Sequence, residues 1–192
     1  MATFFGFKCC LSAKRRVCEL RMINYSFSAE CNSDCQVLIL GSMPGKASLQ
    51  AVQYYAHKRN AFWPIMSSLI NADPSLNYSA RLSRLKQAGF GLWDVYRQCY
   101  REGSLDSAIK VSDAEFNAID GAIQGLPKLQ CIALNGQAAA KAFQRIEKEQ
   151  SLSLEKYNIQ TLVLPSTSPA YAAMDFDEKL KQWSVLSQYV EN

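Results

Sequence analysis

At 192 residues, 48% hydrophobic and 20% charged, the chain has the makeup of one ordinary globular domain around one core, and no run approaches the 18 or more apolar residues of a membrane span. Its formal charge of +4 is not spread along the chain: residues 1–21 hold Lys8, Lys14, Arg15, Arg16 and Arg21 against Glu19, a net +4, whereas residues 22–192 hold 16 basic and 16 acidic side chains, a net zero. A global cationic field is therefore excluded for the folded part. Affinity for nucleic acid has to come from a local patch, such as Lys58 with Arg59 or Arg97 with Arg101.

The first 21 residues put an apolar start ahead of a basic stretch, the reverse of the order in a signal peptide. Residues 1–24 are read as a poorly ordered extension, with Met22 an alternative start, and residues 25–192 as the folded domain. VLILG (37–41) is a short apolar run ending in Gly, the pattern of a fully buried strand, and a long loop over 42–60 follows it. AFWPIMSSLI (61–70) reads as a short helix with Pro64 in its first turn, and a second helix over about 75–88 stops at Gly89. GLWDVY (91–96) is a strand end entering a loop that contains Gly103. Ser112 and Glu115 have capping-box spacing, which predicts a helix from there to about 124. CIALN (131–135) is another buried strand, and Gly136 opens a helix to about 149. TLVLP (161–165) is the last strand, and a closing helix at about 176–189 comes after the loop STSPAY. Strands with helices between them predict an α/β fold: three layers, α/β/α, on a central, mainly parallel sheet of about four strands. Ligands gather at the carboxyl ends of such strands, here after Gly41, around Asp94, at Asn135–Gly136 and at Pro165–Tyr171.

Seven cysteines (9, 10, 18, 31, 35, 99 and 131) form no paired C-x-x-C units, and His57 is the only histidine. That spacing suits neither a zinc site nor an iron–sulfur cluster and reads as free thiols in a reducing cytoplasm. GSMPGKAS is not a phosphate loop. Three residues, not four, separate Gly41 from Gly45, Ala47 follows Lys46, and Pro44 removes a backbone donor. There is no G-x-S-x-G elbow and no evident pair of sugar-hydrolase carboxylates. The candidate loops offer amides, hydroxyls, aromatics and one carboxylate, Asp94. Such an inventory suits recognition of a planar polar group and cleavage of a bond whose charge develops on that group.

Residues 41–65, GSMPGKASLQAVQYYAHKRNAFWPI, combine a Gly-x-x-Pro-Gly turn with an aromatic-Ala-His-x-x-Asn-x-Phe-Trp segment. This region resembles the first motif of the mismatch-specific uracil-DNA glycosylases. GLWDVYRQCYREGSLDSAI (91–109) and LPSTSPA (164–170) resemble the hypoxanthine-DNA glycosylase branch of the same superfamily, and the likeness runs over roughly residues 25–190. Met43 stands where mismatch-specific relatives carry a water-positioning Asn, and Leu164 where many uracil-specific ones carry His. A thioether cannot activate water. The resemblance to the hypoxanthine branch implies instead that the catalytic amide is Asn60.

What the resemblance implies is a monofunctional DNA-deoxyinosine glycosylase of base-excision repair, acting on DNA that contains deaminated bases. It needs no metal or cofactor, because water is the nucleophile. We expect a cytoplasmic monomer away from membranes. Gly41, Ser42, Met43, Pro44, Tyr55, Asp94, Asn135 and Gly136 are the expected base pocket, with Tyr55 the stacking platform ahead of Trp93. His57, Lys58, Arg59, Ser166, Thr167 and Ser168 are expected on the DNA, with Tyr171 a wedge for the vacated stack. Phe62 and Trp63 read as core. The alternatives are a uracil or broader deaminated-base glycosylase, a non-catalytic nucleic-acid-binding relative, and a hydrolase of free nucleosides.

Overall fold

The computed structural model describes residues 23–190 except 74, 150, 151 and 153. The expected N-terminal extension thus lies outside the described residues apart from Ile23 and Asn24, which enter strand β1 (Ile23–Tyr25). The other elements are β2 (Val37–Gly41), α1 (Lys46–Ala51), α2 (Phe62–Ile70), α3 (Tyr78–Gln87), β3 (Phe90–Asp94), β4 (Tyr96–Tyr100) and β5 (Lys110–Phe116). Then come α4 (Ile119–Gln124), β6 (Cys131–Asn135), α5 (Gln137–Glu149), β7 (Gln160–Leu164) and α6 (Phe176–Trp183), the last running into a 3-10 turn over Ser184–Tyr189.

A four-stranded sheet in the order β3-β2-β6-β7, parallel throughout, forms the centre. Both faces are covered at its central strands, so β2 and most of β6 are apolar and buried at successive positions rather than alternately, whereas the edge strand β7 is partly exposed. Leu38, Leu40, Ile132 and Leu134 point into one core with Ile119, Ile123, Ala139, Phe143 and Ile146 of α4 and α5. Val37, Ile39, Cys131 and Ala133 point into the other, with Phe62, Ile65, Leu82, Leu85 and Trp183 of α2, α3 and α6. Fully burying such aliphatic and aromatic side chains stabilises by roughly 1.5–3 kcal/mol each, which makes the three-layer arrangement the stable one.

Residues 110–116 differ from their sequence reading. They are not the start of a helix but strand β5, antiparallel to β4 in a second sheet of order β1-β4-β5. Glu115 does not cap a helix. It pairs with Arg97 and accepts from Gln98 Nε2 across the strands, and Phe116 stacks on Tyr96 at 5.3 Å. These cross-strand pairs outweigh the local capping option. A true capping box sits at the N-terminus of α6. There Asp175 accepts from the Glu178 backbone N–H while the Glu178 side chain accepts from that of Asp175.

Chain order fixes where a ligand can bind. From β2 the chain crosses to β3 on one side, and from β6 it crosses to β7 on the other. The carboxyl ends of β2 and β6 therefore flank the point where the winding reverses, where a crevice opens in sheets of this kind.

Candidate active site

A cavity of about 160 Å³ lies at that crevice. Seven of the eight expected base-pocket residues line it: Gly41, Ser42, Met43, Pro44, Tyr55, Asp94 and Asn135, together with Asn60, His57, Ser166, Thr167 and Ser168. Gly136, Lys58, Arg59 and Tyr171 do not. The motif loop contains a helix that the sequence reading did not foresee, α1, whose N-cap is Gly45 without a side-chain cap.

The 41–45 turn is fastened from below by a residue we had placed on the DNA. Arg101 is 4% exposed, and its guanidinium donates to the backbone carbonyls of Met43 and Pro44. It also lies 3.6 Å from Asp106, whose Oδ1 accepts from Ser42 Oγ at 2.6 Å. Arg97, its expected companion, is tied to Glu115. The expected Arg97–Arg101 patch therefore does not exist as a DNA surface. Ser104 Oγ accepts from the Lys46 backbone N–H, and Ser48 Oγ from that of Ala56. Sequence reasoning missed Asp106, Ser104 and Ser48. The first two act across 64 and 58 residues, which no motif spacing reveals.

Beside the turn stands a column of rings. Tyr55 stacks on Phe62 with centroids 3.9 Å apart and planes 20° from parallel. Phe62 meets Trp183 edge-on at 5.9 Å, and the Trp183 indole N–H donates to the Pro165 carbonyl. Phe62 and Trp183 are fully buried and Trp63 nearly so, as the core reading of Phe62 and Trp63 expected. One face of Tyr55 is therefore taken by Phe62, and the residue lines the cavity. Its backbone is left-handed, at φ 55°, a costly conformation for an aromatic residue that is held only where surroundings impose it. Trp93, the second choice of platform, does not line the cavity; its indole N–H donates to the Phe27 carbonyl.

Two asparagines reach the cavity, and they are used differently. Asn135 Nδ2 donates to Thr167 Oγ1 and its Oδ1 accepts from the Thr167 backbone N–H, both at 2.9 Å. Tyr55 adds a side-chain hydrogen bond to Asn135. Thr167 is 1% exposed, and its carbonyl accepts from the Ala61 backbone N–H. Thr167 is thus a clasp between loops, too buried for the phosphate contact expected of it. Asn60 instead accepts at Oδ1 from the Phe62 backbone N–H, at 2.9 Å, as an Asx turn at the head of α2. Since a backbone N–H can only donate, the amide orientation is set: Oδ1 is engaged, and the Nδ2 hydrogens have no acceptor among the described residues. Gly136 has another structural reason. At φ 91° it takes a conformation open to glycine, and a Cβ there would sit 2.7 Å from Ser166 Cβ. The side chain it admits is Ser166, not a base.

Asp94 is the buried charge question of the site. It ends β3 in register with Gly41, and a Cβ on Gly41 would lie 2.5 Å from its Oδ1. The residue is 3% exposed, its Oδ2 is sealed from solvent, and neither oxygen accepts a hydrogen bond among the described residues. Burial, then the Asp106 carboxylate, push its pKa up to about 8, with Arg101 opposing. Burial likewise raises the thiols of Cys35 and Cys131 to about 12, so these free cysteines are inert packing groups. His57, Lys58 and Arg59 form an exposed turn, in which His57 Nδ1 accepts from the Arg59 backbone N–H. Ser166 and Ser168 are half-buried, and their hydroxyls accept from the backbone N–H groups of Ser168 and Ala170. Tyr171 lies outside the cavity, its carbonyl accepting from Lys179 Nζ, which also sits 5.2 Å from its ring. Among the described residues no three His, Cys, Asp or Glu side chains gather as metal ligands, and no helix is long and apolar enough to cross a membrane.

The chain is thus an open parallel α/β protein with a cavity at its switch point, lined by hydroxyls, amides and a stacked tyrosine. The uracil DNA glycosylase superfamily model matches residues 28–187, and the chain belongs to that superfamily. It is 36% identical over 150 residues to the hypoxanthine DNA glycosylase of Methanosarcina acetivorans, covering 78% of this chain and 89% of that one. It is 37% identical over 121 residues to the hypoxanthine DNA glycosylase of Methanosarcina barkeri, covering 62% and 75%. The fold matches a solution NMR structure of a provisional uracil DNA glycosylase from Methanosarcina acetivorans with a TM-score of 0.72 and 32% identity, over 87% of this chain and 98% of the other.

Proposed function

We propose that this protein is a monofunctional DNA glycosylase that everts a deaminated purine, hypoxanthine first, and hydrolyses its N-glycosidic bond. The carrying observation is the fixed amide of Asn60. Hypoxanthine bears a carbonyl where adenine bears an amine. An N–H aimed at that position bonds the carbonyl, whereas against the amine two donors meet and one stays unpaired. Leaving a buried donor unmet costs roughly 1–3 kcal/mol, enough for discrimination between deaminated and normal bases by one to two orders of magnitude.

The chemistry follows from the same set of side chains. Eversion costs a few kcal/mol, and stacking on the open face of Tyr55 returns about 1–3 of them. As the bond stretches, negative charge grows on the base, and a preorganised donor stabilises it. The Asn60 Oδ1 is held by the Phe62 N–H, and its unspent Nδ2 hydrogens are the part that acts on the departing base. Met43, buried beside it, has no such capacity. The exposed Lys58 and Arg59 are placed to meet phosphates that position the strand without reading it. We infer a protein acting as a monomer in the cytoplasm.

A donor set for a carbonyl fits uracil and xanthine as well, so a broader deaminated-base activity is the second reading. Duplexes carrying inosine, xanthosine, uracil or adenine at one site decide the order. The expected result is abasic-site formation fastest on inosine and none on adenine. Release from free inosine but from no DNA would overturn the reading.

A further inference from the structure

Resting on that reading of the cavity, we propose that Asp94 is its proton donor: its carboxyl O–H faces the everted base and passes the proton to it as the glycosidic bond breaks. Three observations carry this. The carboxyl lines the cavity at a strand end, locked there by main-chain pairing of Asp94 with Gly41, where only glycine leaves room for it. It is almost fully buried, yet no donor reaches it among the described residues. Asn117 Nδ2 donates to the Asp94 backbone carbonyl instead, and Arg101 turns its Nη groups to Met43, Pro44 and Asp106, its buried Nε reaching no acceptor, Asp94 included, among the described residues. A buried carboxylate with no donor is unstable, whereas a buried carboxylic acid has one proton to offer and a cavity to offer it into.

Of the groups that face Asp94, Asp106 raises it and Arg101 opposes, while Tyr54, Tyr55, Tyr78 and Cys99, raised first by burial and further by its proximity, hold no positive charge. His57 and Lys46 line the same cavity. The step balances as follows. The electron pair of the C1′–N bond leaves with the base, the base takes the Asp94 proton, and water oxygen bonds C1′. Water's surplus proton passes to solvent, from which Asp94 is reprotonated. This complements Asn60, which donates a hydrogen bond to the base but cannot give up a proton.

The test is the single-turnover release of hypoxanthine from inosine duplex as a function of pH, by wild type and Asp94→Asn. It is joined by a 13C titration of the Asp94 carboxyl in the free wild-type chain, assigned by its loss in the variant. The expected wild-type rate falls as pH rises through about 8, and the variant is slower by roughly 100-fold or more, with that fall absent. The carboxyl carbon is expected to titrate near the same midpoint. A variant within threefold of wild type at every pH overturns the proposal, and so does a carboxyl already ionised at an ordinary aspartate midpoint. A wild type that releases no base from any substrate overturns the reading of function instead, and the carboxyl titration, which needs no DNA, then judges the proton separately.

Discussion

The two loops that meet over the cavity, the one leading into α2 and the one leaving β7, each present polar groups at its wall, but they spend them differently. In the second loop most of them are used internally. Thr167 is closed on Asn135 at both its N–H and its hydroxyl, Ser166 and Ser168 accept from their own turn, and the Pro165 carbonyl accepts from Trp183. In the first, Asn60 has one end tied and one end open. Unspent hydrogen-bonding capacity at a rigid position, rather than mere presence at the wall, is what separates a group that can act on a ligand from one that builds the wall. Asp94, with none of its side-chain capacity spent, is the extreme case.

That contrast breaks if the two asparagines respond alike. Asn60→Ala is expected to lower the single-turnover rate on inosine DNA by about 100-fold to 1,000-fold, the size of one lost transition-state donor, with a loss of stability limited to the one Phe62 N–H it leaves unmet. Asn135→Ala is expected to do the converse. It strands the Thr167 N–H and hydroxyl, costing roughly 1–3 kcal/mol of stability, or about 2–4 °C of Tm per kcal/mol for a chain of this size. Differential scanning fluorimetry beside the rate measurement separates them. Equal losses of activity at unchanged Tm in both would erase the distinction.

A sharper version uses Asp94 itself. Its folded pKa, about 8, lies above the ordinary aspartate value of 3.8, so the folded form holds a proton that the unfolded chain releases across that window. The stability from this group is full below the unfolded value and is lost as pH rises through the folded one. Asp94→Asn removes that loss, so its Tm advantage over wild type should widen between about pH 5 and pH 8, each pH unit being worth up to about 1.4 kcal/mol. A gap that is flat with pH would mean that the carboxyl is not held neutral by the fold. The smallest expected effect is at the exposed turn. Lys58→Ala or Arg59→Ala should weaken binding to any duplex and flatten its salt dependence by about one counterion each, leaving the rate at saturation unchanged.

Much of this was legible in the chain. Apolar runs at 37–41, 131–135 and 161–165 mark strands because both sheet faces are covered, and the residues at their ends name the cavity. Tyr55 and Asn60 stand out because motif and strand end coincide. What stayed hidden is long-range. Arg101 looks like a surface cation until the fold turns it under Met43 and Pro44, and Asp106 has no local reason to matter. Ser112 and Glu115 have capping-box spacing, yet β4 offers residues 110–116 better partners. Gly136 reads as room for a base and is room for Ser166.

The Trp183–Phe62–Tyr55 column has a consequence in time. A chain still emerging from the ribosome carries its tyrosine platform and its amide long before it carries the indole that braces them from behind. Until α6 docks, Phe62 backs the platform without its edge-on partner, and the Pro165 carbonyl lacks its indole donor. The helix made after both loops is thus the one that completes the packing behind the site.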